Sequence, residues 1–513
     1  MKIVSLSINY HDSSFSIIEN GNIIECIQSE RKTGIKKSNI ISSFFIEYFS
    51  NKKDTYDFLV IDIFDKFSNH DSYRHQVYDI NKFLLEYSYK FKKIKINHCN
   101  HHILHAHTGV YTSTFDNALC FVMDGNGSIL YNPDISEIES IFLFENKKFK
   151  KTLHKRYFYR SKNLKTFNNN NITSECGIGL EFEKLSVEMG FNWADAGKVM
   201  GLSQYKNNKK KLQFPYTTKE WEKNVDKSYE LQIKLQNRVC ELIKIYSEKT
   251  GIENIVLSGG VFLNCVSNFN CIEKFPHLNF HIDPICSDKG TSLGSCLFEY
   301  YKKTKEIPNT ISNVYLGTGE TEINYNRYNH TKVSYEEVVD LLMKKNIVAI
   351  FQGKSEIGER ALGNRSLLFD PRVKNGSNIV NKIKKRENFR PFAATVLFEH
   401  VKDWFDIKYL NESKYMSYAV NVNDICIQKA PSIVHVNNTC RIQTVTEEQN
   451  YHFYNLILEF YKKTNVPMLM NTSFNIAGYP LVETFEQAIW SLNNSEIEYL
   501  YLPEKDVLIK IDN

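Results

Sequence analysis

Apolar positions in this chain fall into short, β-branched runs that end on glycine-bearing loops, with longer stretches of helical period between them. That alternation predicts an α/β protein. Residues 3–9 read as a strand. Phe15-Ser16-Ile17-Ile18 and Ile23-Ile24-Glu25-Cys26 flank Asn20-Gly21, a two-residue hairpin signal. A helix is predicted near 38–50, a strand near 57–63 and a polar, histidine-rich helix near 98–113. The strand Ala118–Met123 then ends at Asp124-Gly125-Asn126-Gly127. A second half repeats the logic. A long amphipathic helix from Trp221 to Lys249 precedes the strand Ile255–Leu257, which closes on Ser258-Gly259-Gly260. A helix near 262–274 and a strand at 278–282 lead to Ser287-Asp288-Lys289-Gly290. Residues 310–329 read as a linker, after which a helix from Tyr335 and the strand Ile347–Phe351 open another α/β domain. A chain of 513 residues is too long for one core. Domains are expected at 1–320 and 335–513.

The most informative segment runs from Phe351 to Arg372. Gly353, Gly358 and Gly363 alternate there with Arg360, Arg365 and Arg372, and Asn364 stands beside the middle arginine. Guanidinium forks match planar oxyanions two bonds at a time. Upstream, His98, His101, His102, His105 and His107 crowd within ten residues. On a helix, residues four apart share a face, which pairs either His98 with His102 or His101 with His105. Two imidazoles joined by carboxylates such as Asp124 and Asp288 would suit Fe(II), Mn(II) or Zn(II). Gly125, Gly127, Gly259 and Gly260 would let backbone N–H groups approach phosphate or an adenylate. Basic clusters at Lys384-Lys385-Arg386 and Arg390, with His435, Arg441 and the pair Ser473 and Asn475, add groups suited to a triphosphate.

The block Ala361-Leu362-Gly363-Asn364-Arg365-Ser366 resembles the O-carbamoyltransferases of nodulation and antibiotic biosynthesis. One departure is Glu359, where the family usually has proline; it reads as a change of turn residue. Asn437 stands where the family usually has aspartate. His101-His102-Ile103-Leu104-His105-Ala106 is similar to the family's His-His-x-x-His-Ala motif, which favours the His101/His105 register. His11-Asp12-Ser13-Ser14, Gly197-Lys198-Val199-Met200-Gly201-Leu202 and Gly259-Gly260-Val261-Phe262-Leu263-Asn264-Cys265 extend the likeness along the chain.

The resemblance implies a duplicated actin/hexokinase-like N-terminal domain and a smaller twisted-sheet C-terminal domain that forms carbamoyl-adenylate. It implies a divalent metal on His101, His105, Asp124 and Asp288, Fe(II) ahead of Mn or Zn. The substrates would be carbamoyl phosphate and ATP with Mg. Catalytic roles are expected for His11, Arg360, Arg365, Lys384 and Arg386. Nucleotide contacts are expected from Asp12, Gly125, Gly127, Gly259, Gly260, Asn264, Arg390, His435, Arg441, Ser473 and Asn475. The rival readings are a transferase of the tRNA threonylcarbamoyladenosine type and a non-catalytic nucleotide- and metal-binding protein.

Composition adds a smaller constraint. Hydrophobic residues at 42% and charged residues at 24% are those of a soluble globular chain. No apolar run approaches the length of a membrane span, and no leader segment is evident. Eleven cysteines without a Cys-x-x-Cys pair read as reduced core residues of a cytoplasmic protein. From Lys147 to Lys165 there are nine basic residues and no acid, interleaved with aromatics, and Lys206, Lys209, Lys210 and Lys211 follow. That run is either a solvated loop or a surface for a polyanion. The expected partner is therefore a small-molecule hydroxyl acceptor or hydroxymethylated DNA, with no obligate protein partner.

Overall fold

A computed structural model describes residues 1–63, 71–98, 101–128, 135–159, 171–207, 218–320 and 322–511. The first sheet is built from β1 (Lys2–Ile8), β2 (Ser14–Glu19), β3 (Asn22–Gln28), β4 (Tyr56–Ile63) and β5 (Phe91–His98), in the order β3-β2-β1-β4-β5. β1, β2 and β3 are antiparallel neighbours, while β4 and β5 join β1 in parallel. Asn20 and Gly21 both take positive φ in the β2–β3 turn, as a two-residue hairpin of matching twist requires.

The second sheet repeats the plan. β6 (Ala118–Met123), β7 (Ile135–Glu145) and β8 (Lys148–Tyr159) are antiparallel, and β10 (Asn254–Ser258) and β11 (Asn279–Ile282) add in parallel to β6. A two-residue β9 (Ile172–Thr173) extends the edge beyond β8. The same strand order and sense, met twice, is the duplicated architecture of the actin and hexokinase class. The His101–Thr112 helix lies against β6 and β10, the Thr291–Thr304 helix lies against β1 and β2, and the two helices pack on each other. Their contact sets the strand ends of both halves toward one cleft.

The third sheet has ten strands. These are β12 (His330–Lys332), β13 (Val348–Phe351), β14 (Arg365–Phe369), β15 (Ala393–Leu397), β16 (Phe405–Asp406), β17 (Ala419–Val422), β18 (Thr439–Val445), β19 (Met468–Ser473), β20 (Tyr499–Leu502) and β21 (Val507–Lys510). Their order is β12-β21-β20-β13-β14-β19-β15-β18-β17-β16, with parallel and antiparallel pairs mixed. The segment read as a linker is laid down firmly. Ile311 and Val314 are buried, the Cys26 N–H donates to Leu316 O, and the Ile357 N–H donates to Val314 O.

The long β7–β8 hairpin, turning at Asn146 and Lys147 with φ of 50° and 56°, occupies much of the basic run that sequence reading left as a loop or patch. Residues 160–165 of that run and Lys209, Lys210 and Lys211 lie outside the described residues. The ten cysteines among the described residues are all unbridged. No helix among the described residues is long and apolar enough to cross a membrane.

Candidate active site

The His101–Thr112 helix puts His101 and His105 on one face, one turn apart. Ser128 fixes the start of that helix, accepting from the His101 N–H at 2.9 Å, so the loop after β6 and the helix are held together. Asp124 turns one carboxylate oxygen back to the Gly125 N–H at 2.7 Å and leaves the other facing the imidazoles. Asp288 arrives from the second half, its backbone carbonyl accepting from Asn9 and Thr291.

The resulting separations are close to one another. His101 Nε2 lies 3.1 Å from Asp124 Oδ2 and 3.3 Å from Asp288 Oδ1, and His105 Nε2 lies 3.5 Å and 3.4 Å from the same atoms. The two Nε2 atoms are 3.2 Å apart. Ligand atoms placed tetrahedrally at about 2.1 Å from a central ion would be about 3.4 Å apart, so this donor set fits a divalent metal. Electrostatics agree. Burial opposes charge on His101, yet the Asp288 and Asp124 carboxylates outweigh it and push its pKa up to about 10. Two carboxylates in a dry site draw in positive charge.

The other histidines separate cleanly. His102 bonds Ser140 Oγ at 2.8 Å, and His107 bonds Ile103 O and packs on Phe144 and Phe298. Burial pushes both pKa values down to about 4. His98 is exposed at the end of β5.

His11 borders the centre, with Nδ1 3.1 Å from Asp12 Oδ2 and 3.8 Å from Asp288 Oδ2. Burial disfavours its charged form, but Asp288 and Asp12 hold its pKa above the usual value. Asp12 itself is enclosed, with Lys37 at 2.7 Å and Lys289 at 3.7 Å. Two lysines face its charge, and it bonds His11. Lys289, only 1% exposed, also meets Glu30 at 2.9 Å and Glu359 at 2.5 Å. Glu359, half-buried, is therefore a charge partner of the buried Lys289. It is more than the turn substitution that sequence reading made of it.

A second cluster gathers cations. Lys384 donates to Asn475 Oδ1 at 3.1 Å, to Ser473 Oγ at 3.3 Å and to the Ser473 carbonyl. Arg386 donates to Thr472 Oγ1 at 3.3 Å. Burial lowers the pKa of Lys384, and Arg386, Arg390 and Lys36 lower it further. Arg386 is depressed by burial and then by Arg390 and Arg441, and Arg441 is pushed down to about 9 by burial and Arg360. Glu387 pairs with Lys198 at 2.5 Å and lies 3.7 Å from Arg390, so it offsets only part of the cluster's charge. Mutually repelling, desolvated cations are a cluster that a bound anion would relieve. Lys36, from the N-terminal domain, was missed by sequence reading, because nothing in its local context marks it.

Consecutive residues join the two clusters. Lys37 reaches Asp12 while Lys36 faces the cations, and Glu359 reaches Lys289 while Arg360 donates to Leu263 O at 3.0 Å beside Arg441. Further ties between the domains run from Arg31 Nη2 to Gly358 O at 2.9 Å and from Tyr205 Oη to Phe389 O at 3.3 Å.

Several expected site residues have partners within the protein. Arg365 is fully buried; its guanidinium donates to the carbonyls of Gln352, Gly353 and Asn364 and lies 3.7 Å over the Phe351 ring. It shapes the loop and does not face the cluster. Arg372 forks onto Asp370 and lines a separate cavity of about 580 Å³ with Met343, Lys345 and Ile379. Asn264 caps the helix that follows it, accepting from the Ser267 N–H at 2.9 Å, and exchanges two bonds with Gln232. Close protein packing by itself requires glycine at 127 and 259. A Cβ at 127 would come 2.6 Å from His102 Nε2, and one at 259, where φ is +92°, would come 2.3 Å from Met123 O. Gly260 lies beside the ligand set, a Cβ there coming 3.0 Å from Asp124 Oδ1. His435 packs on Tyr205 at the domain boundary, and burial pushes its pKa down to about 4.

The basic run lies along β8, opposite acids on β7. Lys150 pairs with Glu145 at 3.1 Å, Lys155 pairs with Glu137, and Arg156 sits 3.5 Å from Glu139 and 3.0 Å from Glu175. Lys147 is buried, donating to Ser113 O at 3.1 Å. Lys206 pairs with Asp226 at 2.7 Å.

Comparison with known proteins fits this division. The family model described as carbamoyltransferase N-terminus matches residues 211–297, and that described as carbamoyltransferase C-terminus matches residues 339–510. The nodulation protein NolNO of Sinorhizobium fredii is 25% identical over 560 aligned positions, covering 96% of this chain and 78% of that protein. The 3'-hydroxymethylcephem-O-carbamoyltransferase of Amycolatopsis lactamdurans is 30% identical, covering 44% of this chain and 43% of its own length. An uncharacterized protein of Synechocystis is 33% identical over 56% of this chain, which spans about half, 53%, of that relative. Matched by both halves of one family and carrying a fitting donor set and cation cluster, this chain belongs to the carbamoyltransferase family.

Proposed function

We propose that the chain is an ATP-dependent O-carbamoyltransferase working through carbamoyl-adenylate. The observation that carries this reading is the adjacency of two unlike sites, a cation cluster and a metal donor set, joined through Lys36-Lys37 and Glu359-Arg360. Lys384, Arg386, Arg390, Arg441, Arg360 and Lys36 would neutralise the phosphates of ATP and carbamoyl phosphate, with Mg accompanying the triphosphate. Ser473 and Asn475, bonded to each other at 2.6 Å and to Lys384, would orient the reacting phosphate. Water displaces phosphate from carbamoyl phosphate to leave carbamate, and a carbamate oxygen then attacks the α-phosphorus of ATP, forming carbamoyl-adenylate as pyrophosphate leaves. The mixed anhydride then needs to move only as far as the neighbouring cluster.

There His101, His105, Asp124 and Asp288 would hold a divalent metal, Fe(II) ahead of Mn or Zn, which when bound polarises a carbonyl or phosphate oxygen. His11, oriented by Asp12, would take the proton of the acceptor hydroxyl. The acceptor oxygen bonds to the carbamoyl carbon, and AMP leaves.

The favoured acceptor is a small-molecule hydroxyl. A hydroxymethylpyrimidine in DNA is the second reading. It rests on the Lys147–Lys165 charges, and the ion pairs of Lys150, Lys155 and Arg156 weaken it. The test is separation of the half-reactions. Lys384→Ala should stop ATP–pyrophosphate exchange yet still transfer from supplied carbamoyl-adenylate, and His105→Ala should do the reverse. Absence of exchange in the wild-type protein would favour a non-catalytic binder. Failure of supplied adenylate to rescue Lys384→Ala would refute separate sites.

A further inference from the structure

The carboxylates around the metal centre have counter-charges, with one exception. Asp124 and Asp288 face the imidazoles, Asp12 lies between Lys37 and Lys289, and Glu30 and Glu359 share Lys289. Glu183, half-buried on the Ile178–Glu188 helix, has no hydrogen bond or ion pair among the described residues. Its place is set by close packing: a Cβ on Gly125, next to ligand Asp124, would lie 3.0 Å from Glu183 Oε1. From there it is within electrostatic reach of His11, Asp124, Lys37 and Asp288. Trp193 stands on the short turn after that helix, half-buried, its ring centroid 5.2 Å from that of His11.

We propose that Glu183 and Trp193 form the acceptor-side wall of the transfer site and admit neutral or cationic hydroxyl compounds while rejecting anionic ones, nucleic acid included. This rests on the carbamoyl-transfer reading and narrows its acceptor. A divalent ion would balance the two ligand carboxylates, and the lysines balance Asp12, Glu30 and Glu359. Burial raises the Glu183 carboxyl to about 7, and it is left as the unpaired carboxyl group an incoming molecule must meet. A hydroxyl or ammonium donor gains a charge-assisted bond from it, whereas a carboxylate or phosphate is repelled. The indole offers an apolar face to a carbon skeleton and an electron-rich one to a cation.

The experiment uses the full chain and alcohols matched in size: aminoethanol, ethylene glycol and glycolate, together with a duplex bearing hydroxymethylcytosine. Binding is read by saturation-transfer NMR and carbamoylation by mass spectrometry with ATP and carbamoyl phosphate. Affinity should fall in the order ammonium, neutral, anion. Glu183→Gln should reduce the aminoethanol-to-glycolate affinity ratio on the order of tenfold, as loss of one charge-assisted bond implies. Glu183→Asp should keep the ratio, which separates charge from packing. Trp193→Ala should weaken all three alcohols alike. An unchanged ratio in Glu183→Gln, or carbamoylation of glycolate or the duplex as readily as aminoethanol, overturns the proposal. If charge-selective binding depends on Glu183 but no alcohol is carbamoylated, the transfer reading falls and the subsite stands.

Discussion

Glu359→Gln is the sharpest test of how the two domains are coupled. Lys289 is buried with Glu359, Glu30 and Asp12 at 2.5, 2.9 and 3.7 Å. Arg31 lies 3.6 Å from Glu30 and Lys37 lies 2.7 Å from Asp12, so the cations and carboxylates of this network balance. Neutralising Glu359 leaves one buried positive charge in excess. Removing one partner of a buried pair typically costs about 3–5 kcal/mol, and the carboxylates that remain should reduce this to about 2 kcal/mol.

Urea unfolding followed by tryptophan fluorescence measures it. A cycle with Lys289→Met isolates the pair, because the double variant removes both charges and should recover part of the loss. The pH dependence has a definite sign. Burial pushes the Glu359 pKa up, but Lys289 and Lys37 outweigh it and hold it down to about 2, below its unfolded value. The stabilisation is therefore present above about pH 4.5 and lost as pH falls toward about 2. A single-variant loss under about 0.5 kcal/mol with no coupling to Lys289 would refute the reasoning.

Other expectations follow from the same geometry. A divalent ion present at about 100 times its Kd adds about 2.7 kcal/mol by linkage, so a chelator should lower the wild-type melting temperature but not that of His105→Ala. Stoichiometric metal in that variant by elemental analysis would contradict the donor set. Gly259→Ala should cost about 2–4 kcal/mol, because the methyl meets Met123 O at 2.3 Å where φ is +92°; a loss below about 1 kcal/mol would show that the strand end can shift. Glu139 is pushed up by burial but held down to about 2 by His154, Arg238 and Arg156. Glu139→Gln should therefore destabilise the protein at neutral pH, with the difference from wild type shrinking as pH falls from about 4.5 toward about 2. Equal losses at pH 7 and pH 3 would argue against the ion pairs.

The sequence by itself determined whatever depends on near neighbours. Helical spacing places His101 and His105 on one face whatever surrounds them, Asn20-Gly21 can close a hairpin unaided, and apolar strands ending on Asp124 and on Gly259-Gly260 mark where a cleft opens. The order of motifs along the chain was enough for the family. What a charged side chain does was decided elsewhere, because its counter-charge comes from a distant segment. Arg360 and Arg365 are five residues apart and chemically alike, yet one borders the cation cluster and the other is enclosed by backbone carbonyls. Nothing local to Asp12 or to Glu359 shows that Lys289 is brought between them. Lys150 and Lys155 on β8 carry no local sign of the glutamates that β7 lays opposite them. Lys36 and Glu183 carry no local signal. A charge acquires its role from what packing places within a few ångströms of it, and only the tertiary structure sets that distance.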